Sequence, residues 1–154
     1  MQPGSIESFP SRDVSFETQS AGDLKDCFWR VVGGESVFVN KITANKPAWV
    51  ALEESVPGEM VECSLSPGET MFVKRGRFVA SDANIGLSAA ILDFTRALSG
   101  IGFAVLEAKT TDNNSGRLFF GADGSVVRKL EVSEKTGPIT IDNKSIIAFG
   151  SGLS

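Results

Sequence analysis

The feature that most restricts how this chain can fold is that it repeats itself. Phe28-Trp29-Arg30-Val31-Val32-Gly33-Gly34 is answered by Phe94-Thr95-Arg96-Ala97-Leu98-Ser99-Gly100, so that Phe28, Arg30 and Gly34 each recur 66 positions later. Pro57-Gly58 is answered by Asp123-Gly124 at the same offset. A unit of about 65 residues buries little apolar surface alone, whereas two copies packed face to face cover each other. The offset exceeds the roughly 20–50-residue period of solenoid arrays, which points to pseudo-two-fold symmetry inside one domain. The expected organisation is a loose arm over 1–22 and a single β domain over 23–154, its halves covering about 23–86 and 87–152.

Periodicity predicts what each copy contains. Leu24, Phe28 and Val31 are at helical spacing, as are Leu87, Ile91, Phe94 and Leu98, and both segments run into glycine. Each half is therefore expected to open with a short helix ending at Gly33 or Gly100, with a strand or irregular segment as the alternative for the first copy. After the glycines the period becomes two: Val37 to Ile42 and Phe103 to Leu106 read as strands, followed by turns at 43–47 and 111–116. Pro57-Gly58 and Asp123-Gly124 read as hairpin turns. Val61, Cys63 and Leu65 then form one strand face, and Val126, Leu130 and Val132 its counterpart. Turns follow at Ser66–Glu69 and Glu134–Pro138, where the offset grows to 68 so that Val73 answers to Ile141 and Ala80 to Ala148. The predicted class is all-β with one or two short helices: a duplicated antiparallel β-sandwich or double-stranded β-helix.

The residue types that are missing limit the chemistry. The chain has no His and no Tyr, so neither a Ser-His-Asp relay nor a His-bearing metal site can be assembled. The expectation is a protein that is not an enzyme and carries no cofactor or metal. Cys27 and Cys63 fall short of a disulfide framework or a four-ligand zinc site and read as structural thiols, with a disulfide between them as the lesser reading. The net charge of −4 and pI near 4.9 oppose a phosphate backbone overall. No apolar run reaches the ~18–20 residues of a spanning helix, and the N-terminus has neither the basic start nor the apolar stretch of a secretory signal. These features point to a cytoplasmic protein, or a mitochondrial one if the chain is a processed form.

The densest basic group is Lys74-Arg75-Gly76-Arg77, flanked by Phe72 and Phe78. As a binding patch it concentrates field enough for a phosphate or an acidic partner, with the two aromatic rings as stacking platforms. The plainer reading is a solvated hairpin turn whose charges discourage edge-to-edge aggregation. Glu53, Glu54, Glu59, Glu62 and Glu69 read as solvated surface, because nothing in their spacing fixes two together. Asp112-Asn113-Asn114-Ser115-Gly116 resembles part of a calcium loop without its distal Glu and reads as a polar turn. Gly100-Ile101-Gly102 lacks the third glycine of a dinucleotide fingerprint. Trp29 and Trp49 are candidate core or interface anchors.

Several segments together resemble the Altered Inheritance of Mitochondria (Aim24-like) family. They are Gly34–Asn40, Pro57-Gly58, Arg75–Asp82, Gly100–Phe103, Ile141–Asn143 and Ile147–Phe149, spread over about residues 14 to 150. The resemblance implies a fold like that of the tryptophan RNA-binding attenuation protein, which assembles through β edges. It also implies no enzymatic activity and, for the mitochondrial member, a link to inner-membrane organisation. Family domains usually open with a further stretch carrying a Leu-x-Pro-Gly-type turn that is not found here, so this chain is either a shortened version or is completed by a neighbouring subunit. The functional expectation is a non-enzymatic structural or interaction protein, a homo-oligomer or the subunit of an assembly. The alternative is a small-ligand or RNA-binding module built on the basic turn.

Overall fold

The computed structural model describes residues 6–8, 14–20, 38–53, 57–74, 76–91, 104–124 and 126–152. Their strands are β1 (Ile6–Ser8), β2 (Val14–Ser20), β3 (Phe38–Ala44), β4 (Ala51–Leu52), β5 (Gly58–Leu65), β6 (Thr70–Lys74), β7 (Phe78–Ser81), β8 (Ile85–Ile91), β9 (Ala104–Thr110), β10 (Gly116–Asp123) and β11 (Ala148–Gly150). One short 3-10 turn, Asn143–Ser145, is the helical element among them. No helix of the described residues is long and apolar enough to cross a membrane.

Alternation along the strands builds two layers. A three-stranded sheet runs β5-β10-β7 and a four-stranded sheet runs β11-β6-β9-β8, while β1-β4 and β2-β3 form separate two-stranded sheets. All the strand pairs are antiparallel. Along β10, Leu118, Phe120 and Ala122 are buried while Arg117 faces water. Along β9, Leu106 and Ala108 point inward, and Lys109 is exposed. One cluster joins Leu65, Phe78, Leu118 and Phe120 of the first sheet to Val73, Ile85, Leu106 and Ala108 of the second. The two sheets therefore share a core as a sandwich, each large side chain in it contributing about 1.5–3 kcal/mol by leaving water.

The connections between β5 and β6, β6 and β7, and β9 and β10 each cross from one sheet to the other. Ser66-Pro67-Gly68-Glu69 makes the first crossing as a type II turn. Pro67 presets its own φ, Gly68 takes φ 79°, and the Glu69 N–H donates to the Ser66 carbonyl at 3.0 Å. The Glu69 carboxylate in turn accepts from the Ser66 N–H at 2.9 Å, and the Gly68 N–H donates to the buried Thr110 hydroxyl at 2.9 Å.

Strand β3 (Phe38–Ala44) and strand β9 (Ala104–Thr110) begin and end 66 positions apart. Each is paired along all seven of its residues: β3 from Val14↔Ala44 to Ser20↔Phe38, and β9 from Ile85↔Thr110 to Ile91↔Ala104. Each is a seven-residue strand laid antiparallel on a seven-residue neighbour, although the neighbours β2 and β8 are 71 positions apart and not 66.

Four expectations are corrected. The helix expected to begin at Leu87 is not there, because Ile85–Ile91 is strand β8, held by a full ladder to β9 that outweighs the helical spacing of Leu87 and Ile91. The remainder of that segment and the whole of the first expected helix, with Gly33, Gly34, Trp29 and Cys27, lie outside the described residues. Pro57-Gly58 and Asp123-Gly124 are not hairpin turns but neighbours: Gly58 opens β5 opposite Asp123, and the Gly124 N–H reaches the Pro57 carbonyl at 3.5 Å. Glycine serves close approach there, since a Cβ on Gly58 would stand 1.6 Å from the Ala122 carbonyl oxygen. Lys74–Arg77 is a crossing between sheets rather than a hairpin. Finally, the strand expected around Val126, Leu130 and Val132 is absent, as none of the strands includes a residue between 126 and 142.

Candidate interaction surface

The basic turn is built by the end of β6. The Lys74 N–H donates to the Ile147 carbonyl at 2.7 Å, tying β6 to the segment before β11, and the Arg77 N–H closes the turn on the Lys74 carbonyl at 3.2 Å. Gly76 sits at the crest with φ 74°, where any side chain would be strained. The Lys74 ammonium donates to the Lys144 carbonyl at 3.2 Å, and the Arg77 carbonyl accepts from the Gly121 N–H at 2.8 Å. Arg75 lies outside the described residues.

The aromatic flanks expected beside this turn are already engaged. Phe78 is 1% exposed in the shared core, so it offers no face to a base. Phe72 is half-buried against Phe149, their rings 5.4 Å apart and tilted by 34°. Phe78 begins a strand whose first three residues are all buried, which a sequence pattern with charges on both sides does not reveal.

The carboxylates are scattered in local roles. Glu59 accepts from the Val127 N–H at 2.6 Å, Glu69 closes the crossing turn, and Glu62 and Glu53 are exposed, while Glu54 lies outside the described residues. The 111–116 loop is organised around Asp112. Its carboxylate accepts from the Asn84 side chain at 3.0 Å and from the side chain and N–H of Asn114 at 2.9 and 3.0 Å, and these bonds, Asn84's first, hold its pKa below the usual carboxylate range. This is a self-satisfied turn. Among the described residues no three of His, Cys, Asp and Glu converge as a metal site would require. Cys63 is a free, half-buried thiol whose pKa is pushed up by burial and then by Glu69, against an opposing pull from Lys129.

Sequence reasoning missed one polar unit. Asp82, just after β7, makes a bidentate pair with Arg117 of β10 at 3.0 and 3.1 Å and also accepts the Arg117 N–H at 2.8 Å. The Arg117 guanidinium lies over the Phe119 ring, 5.7 Å from its centroid. The side-chain bonds from Arg117 hold the Asp82 pKa below the usual range, against some burial, and raise that of Arg117 in return. Thirty-five residues separate the pair, so no local signal marks it.

Apolar exposure is concentrated elsewhere. Trp49 is 62% exposed, which removes its core reading and leaves the interface one. Among the described residues the other large exposed apolar side chains all fall between 126 and 141: Val126, Leu130, Val132, Ile139 and Ile141. Beside the start of this segment lies a shallow open depression of about 520 Å³, lined by Pro57, Gly58, Glu59 and Gly124.

This architecture matches known proteins at two levels. A Streptococcus pyogenes protein, solved by X-ray crystallography in a structural genomics programme, is similar over 99% of this chain and 66% of its own, at 24% identity with a TM-score of 0.71. That likeness speaks for the fold, and the chain spans about two thirds of that protein's length. No curated protein matches the chain. The profile of the family described as Mitochondrial biogenesis AIM24 matches residues 1–154. A match over the whole length makes this chain a member of the AIM24 family.

Proposed function

We propose that this chain is a non-enzymatic β scaffold that acts by associating with proteins, copies of itself first among them. The observation that carries the reading is the run of exposed apolar residues from Val126 to Ile141 on a segment that belongs to no sheet. Soluble surfaces rarely leave such residues grouped unless a partner covers them. The carboxylates support it too, since those with a described hydrogen bond serve a turn, a neighbouring strand or, for Glu59, the irregular segment after β10. The basic turn supports the RNA alternative less well, with Phe78 in the core and Phe72 on Phe149. The family's description supplies the setting, mitochondrial biogenesis, and organisation of the inner membrane is the role we extend to this chain. Light scattering on purified protein, joined to mild affinity purification from its own cells, is the test. Oligomers or a stable protein partner are expected; a strict monomer with no partner, or turnover of a substrate, overturns the proposal.

A further inference from the structure

The exposed segment after β10 carries a pattern that says what would cover it. Residues 126–133 contain neither helix nor turn, and Val126, Leu130 and Val132, at 60%, 56% and 40% exposure, share one parity. Val127 turns its N–H inward to Glu59, and the Ser133 N–H is taken by the Thr136 hydroxyl at 2.8 Å. Between them, among the described residues, the main chain of Arg128 to Val132 has no hydrogen-bond partner. In a strand the N–H and C=O of Arg128, Leu130 and Val132 point to the side opposite those of Val127, which is an open ladder edge.

The charges on this stretch are complementary to their own reverse. Lys129 and Glu131 flank Leu130, and in the single chain they meet only as a solvated pair at 3.4 Å with 86% and 81% of their side chains exposed. Such a pair contributes little where it is. Laid antiparallel on a second copy with Leu130 opposite Leu130, each Lys129 faces the other copy's Glu131. The same register sets Val132 against the Arg128 stem and makes Leu130↔Leu130 and Arg128↔Val132 the hydrogen-bonded pairs. The other charged residue between Val126 and Ser133, Arg128, faces Val132 in this register, and the register centred on Leu130 is the one that sets Lys129 directly across from Glu131.

We propose that two copies of this chain join by antiparallel strand pairing across residues 126–134, a two-fold seam centred on Leu130. The proposal rests on the self-association reading above and names its site. Both copies use one patch, as a closed two-fold contact requires, and the pairing converts an irregular segment into strand. A seam of this length is small, so association is expected at roughly micromolar concentration.

Sedimentation equilibrium of the full chain over a micromolar range tests it, with circular dichroism to show that each variant is folded. Leu130→Lys is expected to weaken association at least tenfold. Lys129→Glu alone and Glu131→Lys alone each place like charges across the seam and are expected to weaken it similarly, whereas an equal mixture of the two opposes Glu with Lys at both positions and is expected to regain association. Failure of the mixture to associate overturns the seam. Oligomers indifferent to Leu130→Lys also overturn it while leaving self-association through another surface standing. A wild-type chain that stays monomeric throughout overturns both the seam and self-association.

Discussion

Asp82 shows how much of this protein's polar chemistry is structural. Its carboxylate receives three hydrogen bonds from Arg117, side chain and main chain together, and so pins the turn after β7 to the middle sheet strand β10. Because its folded pKa is depressed below the unfolded value, its contribution is fully present above the ordinary Asp pKa of about 3.9 and is lost as pH falls through the folded value. Asp82→Asn is therefore expected to lower the denaturant midpoint by a constant amount between about pH 5 and 7, and the gap to wild type is expected to close below about pH 4. Urea titrations at each pH check this. Phe78 makes the complementary case. If its ring is a packing element, Phe78→Ala costs about 3–5 kcal/mol of unfolding free energy, read as a shifted midpoint at unchanged denaturant slope. A stacking residue on the surface would leave the midpoint where it is.

Among elements, the strands that form are those with a ladder waiting beside them. Alternation marks β3, β5 and β9, and the Pro67-Gly68 turn is legible because its type demands those residues in that order. The same alternation at Val126, Leu130 and Val132 gives no strand, since periodicity describes which side chains would share a face and not whether a neighbour exists to accept the N–H groups. Leu87 and Ile91 err the other way: their spacing fits a helix, and seven paired residues on β9 decide for strand. Gly58 is the sharpest test at this scale. It was read as a turn glycine, which tolerates alanine when φ permits, yet its hydrogen faces the Ala122 carbonyl oxygen at the β5–β10 contact. Gly58→Ala is expected to cost about 1–3 kcal/mol through a forced backbone shift, visible as faster amide exchange along β5 and β10; unchanged exchange and stability would return the residue to a turn role.

At the scale of the molecule, the sequence by itself determined the class of fold. A 66-position repeat, period-two apolar residues and frequent turn signals suffice for an antiparallel all-β sandwich, because these are local or self-comparing properties of the chain. The composition also limited the chemistry, since residue types that are missing cannot be supplied by folding. Tertiary structure alone decided which apolar residues became core and which stayed in water. Phe78 and Leu130 are both apolar neighbours of charged residues in the sequence, but one faces the opposite sheet and the other has no strand beside it. It also decided that Pro57-Gly58 and Asp123-Gly124, matched turn signals in the sequence, lie against each other as the meeting point of β5 and β10. The reason is that ladder partners and cross-sheet contacts join residues tens of positions apart, and their free energy depends on a neighbour that no local window of sequence contains.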